Sequence, residues 1–181
     1  MALLLTSCGK SENKKDSNSL EAKIESEEVK VPKTNIQAAI ISNNIDVVKQ
    51  HIKAGTDLNE KDAMSGATPL ITAASFGRTQ ITKLLLDAKV DLSKTNADGA
   101  TALHTAVFFC RTEVVQLLLN ANADKKAKNN YGQTPIETIT GPFEQVKPIY
   151  EMLKLQLQPM GMEIDIDAIE KTRPSVAKML Q

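Results

Sequence analysis

The sequence predicts an all-α fold, an α-solenoid in which pairs of short helices stack in chain order. Loops of β-hairpin type join the pairs, and a helical cap closes the C-terminal end. The first observation is a phrase that recurs every 33 residues: GATPLITAASFG at 66–77, GATALHTAVFFC at 99–110 and GQTPIETITGPF at 132–143. The second is that aromatic residues make up only 3% of the chain. A core without aromatic side chains must use small aliphatic ones, which suits stacked short helices.

Each repeated phrase predicts a short inner helix. Thr68 is a good N-cap because its hydroxyl can accept a hydrogen bond from an amide of the first turn. Pro69 at the first helical position loses nothing, since its missing N–H would be unpaired there in any case. Ala73 and Ala74 are small and allow neighbouring helices to approach closely. Gly77 predicts the end of this helix, where the backbone turns left-handed.

A second, outer helix is predicted directly after each inner helix. In the repeat of Gly66–Gly77 it spans 79–87. Its apolar residues recur at i, i+3, i+4 and i+7, which places them on one helical face. They are Ile81, Leu84, Leu85 and Ala88, and the next repeat carries Val114, Leu117, Leu118 and Ala121. One such pair cannot bury its apolar face alone, whereas stacked pairs can. The repeats are expected at about 35–64, 65–97, 98–130 and 131–158.

The two ends of the array depart from the central pattern. Thr34–Gln37 resembles a capping box and predicts where the first inner helix opens. Gly141-Pro142 interrupts the fourth inner helix, and Pro148 stands in what should be its outer partner. We therefore predict a distorted closing helix over 143–157. A helical cap at 159–181 follows, with helix starts at Asp167 and at Arg173-Pro174.

The segment Gly66–Gly77 is similar to the ankyrin repeat signature G-x-T-P-L-H-x-A-A-x-x-G, and the next repeat carries its histidine as His104. The resemblance covers about residues 35–154. It implies a non-catalytic module that binds proteins, with His104 bridging to neighbouring backbone or threonine. Cys110 and Lys89 stand where the pattern has glycine. A left-handed backbone at each would cost on the order of 1 kcal/mol.

Partners of ankyrin arrays lie against the hairpin tips and the exposed side of the inner helices, on the concave face. Alignment of the repeats transfers this surface to eight residues: Met64, Thr72, Phe76, Asp98, Thr105, Phe108, Phe109 and Tyr131. Three of the chain's four phenylalanines fall in this set. Aromatic and Met side chains are enriched at protein interfaces, which favours a partner surface. The alternative is that Phe108 or Phe109 turns inward and completes the core.

The first residues resemble a bacterial lipobox, in Leu5-Thr6-Ser7-Cys8. That resemblance implies a lipid anchor at Cys8 and a place in the bacterial cell envelope, facing the periplasm. The apolar run is short and lacks a charged n-region, so residues 1–8 are interpreted as a partial leader. Residues 9–34 are almost wholly polar, which predicts a disordered tether. The alternatives are a chance match in an unstructured leader and a cytoplasmic protein.

Composition and motifs give no indication of catalysis, metal binding or nucleic-acid binding. Lys plus Arg and Asp plus Glu are balanced at 22 each, which gives no electrostatic case for nucleic acid. His51 and His104 are not spaced as metal ligands, and His51 is expected half-buried or at the surface. Phosphate-loop and calcium-loop spacings are absent. We expect a monomeric, non-enzymatic module without cofactor or metal that holds one protein partner. An immunity protein against a toxin and a self-associating scaffold are the alternatives.

Overall fold

The computed structural model describes residues 30–181. Cys8, the partial leader and all but the end of the predicted tether lie outside the described residues. The helices of the described part are α1 Ile36–Ile41, α2 Ile45–Lys53, α3 Pro69–Ser75, α4 Thr79–Asp87, α5 Ala102–Phe108, α6 Thr112–Asn120, α7 Glu137–Thr140, α8 Phe143–Leu157 and α9 Ile166–Leu180. A 3₁₀ turn at Gln158–Met160 follows α8, and this part of the chain contains no β-strand.

The helices stack in chain order, which confirms the predicted all-α solenoid. The inner helices α1, α3, α5 and α7 pack one on the next, and the outer helices α2, α4 and α6 form a second row. A single apolar core runs between the rows. Its largest fully buried members recur at the repeat interval, as Leu70 with Leu103 and Leu85 with Leu118.

The N-caps of the inner helices lie at the predicted residues in the central repeats. In the first repeat the N-cap lies one residue after the predicted one. Thr68 and Thr101 cap α3 and α5 as expected. In the first repeat the cap is Asn35, whose side chain accepts from the Ala38 amide at 2.7 Å. Gln37 does not close a capping box. Its side chain instead donates to a backbone carbonyl of the next repeat, so the predicted box at Thr34–Gln37 is wrong.

Four non-glycine residues adopt the left-handed backbone that ends a helix. Asn43, Lys89, Cys110 and Asn122 have φ values of 56°, 60°, 52° and 62°. Lys89 and Cys110, which stand at the glycine positions of the pattern, are therefore left-handed. Each accepts a cost on the order of 1 kcal/mol, because the stacked repeat fixes the turn that follows the helix.

The helical C-terminal cap is present as predicted, whereas α8 does not take the place of the fourth outer helix. α8 has the predicted bounds, with Pro148 inside, yet α9 is the helix that packs against α6 and α7. Val176 and Leu180 of α9 join the repeat core. α9 is also one continuous helix that begins at Ile166 and runs through Pro174. The start predicted at Asp167 is therefore one residue late, and the start predicted at Arg173-Pro174 is wrong. Burial of its apolar face offsets the interior proline, which costs about 3 kcal/mol.

Candidate protein-binding site

The hairpin tips of successive repeats are joined by backbone hydrogen bonds. The Ala97 amide donates to the Ser65 carbonyl at 3.0 Å, and the Asn130 amide donates to the Asp98 carbonyl at 2.9 Å. The Asn130 side chain adds a bond to the Ala97 carbonyl at 3.0 Å. The tips therefore form one connected edge whose geometry is fixed by main-chain contacts.

Within the first tip, Asp62 organises the turn. Its carboxylate accepts from the amides of Met64, Ser65 and Ala67 and from the Ser65 hydroxyl. Burial raises the pKa of Asp62, but these hydrogen bonds together hold it below its ordinary value. The carboxylate is thus ionised at neutral pH and keeps the tip closed.

Three predicted site residues project from this edge, and we name Met64, Asp98 and Tyr131 the tip row. Met64 is 97% exposed and Tyr131 is 73% exposed. Asp98 is also exposed and lies between their repeats, where the Tyr131 hydroxyl donates to its carboxylate at 3.4 Å. The structure therefore brings these three residues together on one accessible surface. Whether they bind a partner stays a prediction.

The five predicted residues of the inner helices are less accessible. Thr72, Thr105 and Phe109 are each only 8% exposed, and Phe76 and Phe108 are half-buried. This corrects the expectation of an open aromatic surface. The alternative that Phe109 turns inward describes its burial better, but its ring does not enter the repeat core.

Phe109 belongs instead to a second core, the aromatic cluster, built on the ends of α3 and α5. Phe108 and Phe109 meet edge to face at 5.1 Å, and Tyr150 of α8 stacks on Phe108 at 4.7 Å. The other members of the cluster follow the ends of α3 and α5 or belong to α8, α9 and the link between these two helices: Phe76, Cys110, Phe143, Val146, Leu153, Leu157, Met162, Ile164, Ile166 and Ile169. The chain's own C-terminal segment thus packs against the part of the predicted partner surface that Phe76, Phe108 and Phe109 form.

A repeated hydrogen bond at the carboxyl end of the inner helices places α8. Arg78 donates to the Ile41 carbonyl at 2.7 Å, and Arg111 donates to the Ser75 carbonyl at 3.2 Å. The equivalent carbonyl of the next repeat is that of Phe108, and it accepts from the Tyr150 hydroxyl at 2.7 Å. Tyr150 therefore stands in for the arginine that the fourth repeat lacks. Burial raises its pKa, so the hydroxyl remains a donor.

The same two arginines also cover phenylalanine rings. The Arg78 guanidinium lies 5.6 Å from the centre of the Phe76 ring, and that of Arg111 lies 6.0 Å from the Phe109 ring. Burial lowers the pKa of Arg111. The sequence carries this arrangement as Phe-Gly-Arg at 76–78 and Phe-Cys-Arg at 109–111. This three-residue repeat is the sequence signal of the arrangement, which was not among the predictions.

Both histidines have structural roles. Burial lowers the pKa of His104. Its Nδ1 accepts from the Thr101 amide at 3.3 Å, while Nε2 donates to the Gln133 carbonyl at 3.0 Å. The bridging role implied by the resemblance is thus confirmed. His51 is only 3% exposed, because it occupies the core position that Leu85 holds in the next repeat. Its ring nitrogens contact the Thr56 hydroxyl at 2.9 Å and the Thr34 carbonyl at 2.8 Å. The expectation that His51 is half-buried or at the surface is therefore corrected.

The described residues hold no arrangement typical of catalysis or metal binding. Residues 30–181 contain no group of three or more His, Cys, Asp or Glu side chains placed to hold a metal ion. Burial raises the pKa of Cys110 to about 11, so its thiol stays protonated at neutral pH and is a poor nucleophile. None of the helices in this range is both long and apolar enough to cross a membrane.

Comparison with known proteins agrees with this geometry. The sequence profile of ankyrin repeats (3 copies) matches residues 36–129. The crystal structure of the ankyrin repeat domain of Bcl-3, a member of the IkappaB protein family, superposes with a TM-score of 0.55 at 26% identity. That match covers 57% of this chain and 45% of the Bcl-3 chain, so the similarity spans less than half of the latter. No curated protein matches the sequence. The chain belongs to the ankyrin repeat family, whose fold is a non-catalytic scaffold for protein–protein interaction.

Proposed function

We propose that this ankyrin module holds one protein partner on the tip row and is tethered to a bacterial envelope membrane through Cys8. The exposure of two large side chains, Met64 and Tyr131, on a hydrogen-bonded edge supports the first half of the proposal most directly. Large Met and aromatic side chains contribute much of the binding energy at interfaces. Because the edge is already ordered, a partner would bind without the entropic cost of fixing flexible loops.

The chemistry of the tip row indicates the kind of surface that fits it. Met64 and Tyr131 offer apolar area, and Asp98 adds one carboxylate that Tyr131 leaves with free acceptor capacity. A complementary partner presents apolar pockets for the two large side chains. Between the pockets it carries an Arg, Lys or backbone N–H group that donates to Asp98.

The test is capture of the partner from an envelope extract, followed by measurement of its affinity. The double variant Met64→Ala/Tyr131→Ala should weaken binding by several kcal/mol, on the order of 100-fold or more in Kd. The matched control is Val31→Ala/Leu155→Ala, which removes apolar side chains that are 59% and 76% exposed elsewhere on the surface. Capture that is unchanged by the tip-row variant, or equally reduced by the control, contradicts the proposal.

Phe109 is unsuitable for this test. It is nearly buried in the aromatic cluster, so Phe109→Ala would remove core packing at a cost of about 3–5 kcal/mol. A loss of binding in that variant would report damage to the fold rather than a lost contact with a partner.

The tether rests on the lipobox-like residues before Cys8 and on the polar stretch that follows it. The chain has two cysteines, so a matched pair of variants is available. The full sequence, expressed in a bacterium with a charged n-region added upstream, should incorporate labelled palmitate and sediment with membranes. Cys8→Ser should abolish both, and Cys110→Ser should abolish neither. Label that is absent from the parent, or retained by Cys8→Ser, would refute the anchor.

A further inference from the structure

α8 and α9 pack on different parts of the molecule. Val176 and Leu180 of α9 are buried in the repeat core. Arg173 of α9 is only 5% exposed and donates to the carbonyls of Ile139 and Gly141 at 2.6 and 2.7 Å. These contacts close the last inner helix directly. α9 therefore closes the end of the repeat stack, and α8 is a segment inserted in the chain between α7 and α9.

The inserted segment, which consists of α8 and the 3₁₀ turn, has a glycine at each end. Gly141-Pro142 precedes α8, and Gly141 has an extended backbone on which a Cβ would meet no atom within 4 Å. Gly161 follows the 3₁₀ turn in a left-handed conformation, with φ of 79°. Inside α8, Pro148 lacks the N–H that would donate to the carbonyl four residues earlier, which weakens the first turns. Residues 143–160 therefore have a glycine on either side, where the backbone can change direction more readily than at other residues.

α8 is held mainly by one side of its surface. Among its fifteen residues only Tyr150 is buried, whereas α9 buries four of its fifteen. Four half-buried residues flank Tyr150 on the cluster side: Phe143, Val146, Leu153 and Leu157. On the other flank, Ile149, Met152 and Leu155 remain 42%, 49% and 76% exposed. The free energy that holds α8 in place is therefore concentrated in Tyr150 and its immediate neighbours.

We propose that α8 is a releasable cover. It leaves while α9 keeps the stack closed, and it uncovers a surface of Phe76, Phe108 and Phe109 that binds an amphipathic helix of a partner protein. α8 itself shows what this surface accepts. Its apolar residues at 146, 150, 153 and 157 follow the spacing i, i+4, i+7 and i+11 of a helix laid into a groove. The aromatic hydroxyl at the second position satisfies the Phe108 carbonyl. This proposal does not use the tip row, so either proposal can fail without the other.

Hydrogen exchange on the full chain tests the release. Amides of 143–157 should exchange at least 10-fold faster than those of 166–180 and of α5. Tyr150→Ala should accelerate exchange in 143–157 further and leave α9 and α5 unchanged, while Leu155→Ala, which removes an exposed side chain, should change nothing. Equal protection of α8 and α9 in the parent overturns the proposal. Unfolding of the whole chain by Tyr150→Ala also overturns it, because α8 would then be integral to the stack.

A peptide in trans tests the kind of partner. The probe is a fluorescent peptide with the sequence of residues 143–157. It should bind the full-length Tyr150→Ala variant at least 10-fold more tightly than the parent, in which α8 occupies the surface. The same peptide carrying Tyr150→Ala and Leu153→Ala should bind neither protein. Binding that is absent from the variant, or equal for the parent and the variant, refutes a helix-binding surface beneath α8.

Discussion

Leu118→Ala gives a direct measure of how strongly the stacked repeats depend on one another. Leu118 lies in α6, is 0% exposed, and belongs to the core shared by the two helical rows. Its outer helix contacts α4 before it, α5 beside it and α9 after it. Truncation of this side chain therefore leaves a cavity in the core that the two rows share.

The expected magnitude follows from the atoms removed. Leu→Ala deletes three carbon groups, worth about 0.8 kcal/mol each on transfer, or about 2.4 kcal/mol together. The unfilled cavity adds to this, which gives a total of about 2–5 kcal/mol. A domain of this size has about 5–15 kcal/mol of stability, so the loss is a large fraction of the whole.

Urea unfolding followed by circular dichroism measures the change. Leu85→Ala, which makes the same truncation at the equivalent position of the preceding repeat, should cost a similar amount, since Leu85 is also 0% exposed. Leu155→Ala is the matched control and should change the free energy of unfolding by less than about 0.5 kcal/mol. A loss below about 1 kcal/mol for Leu118→Ala, or one equal to the control, would refute a continuous core between the rows.

Three further measurements address the repeat contacts. Arg111→Met should destabilise the fold by about 1–3 kcal/mol in urea, because it leaves the partly buried Ser75 carbonyl without its donor. An unchanged free energy of unfolding would show that the repeated arginine bond is dispensable. The pKa of His104 in the folded state lies below its ordinary value of 6.5, so the free energy of unfolding should fall as the pH drops below 6.5. His104→Asn should make the free energy of unfolding less dependent on pH in this range. An unchanged pH dependence would contradict the lowered pKa of His104. Gly66→Ala should lower the Tm more than Gly132→Ala. Both glycines have positive φ, but only at residue 66 would an added Cβ meet backbone, the Ala97 nitrogen at 3.0 Å. Equal losses of Tm would contradict a close contact between these tips.

The repeat geometry was predictable because it is local and recurs. A Thr cap and an alanine-rich inner helix are each specified by a few adjacent residues, so Thr68 and Thr101 behave as expected. His51 was misjudged because its polarity suggested water. Its position in the repeat is a core position, and two nearby oxygens satisfy the ring nitrogens.

The packing of α8 and α9 was not predictable from the repeat, because it depends on contacts between distant segments. Residue 144, where the next arginine of the series would stand, is glutamate. The carbonyl of Phe108 therefore needs another donor, and Tyr150 provides it from 42 residues away. Meanwhile Arg173 of α9 reaches the end of α7 and fixes α9 in the outer row. Neither contact leaves a periodic signal in the sequence.

The few aromatic residues of the chain have a common structural reason for their places. All four phenylalanines and one of the two tyrosines lie in the aromatic cluster, and Tyr131 stands on the tip row. The repeat core contains none of them, since regularly spaced small aliphatic side chains interlock well enough to stack. α8 has no such register with its neighbours. A few large rings, stacked and edge to face, hold it instead, because each buries much area from a single position. The same property makes the surface beneath α8 suited to a second helix, since large rings accept apolar side chains without demanding one fixed register.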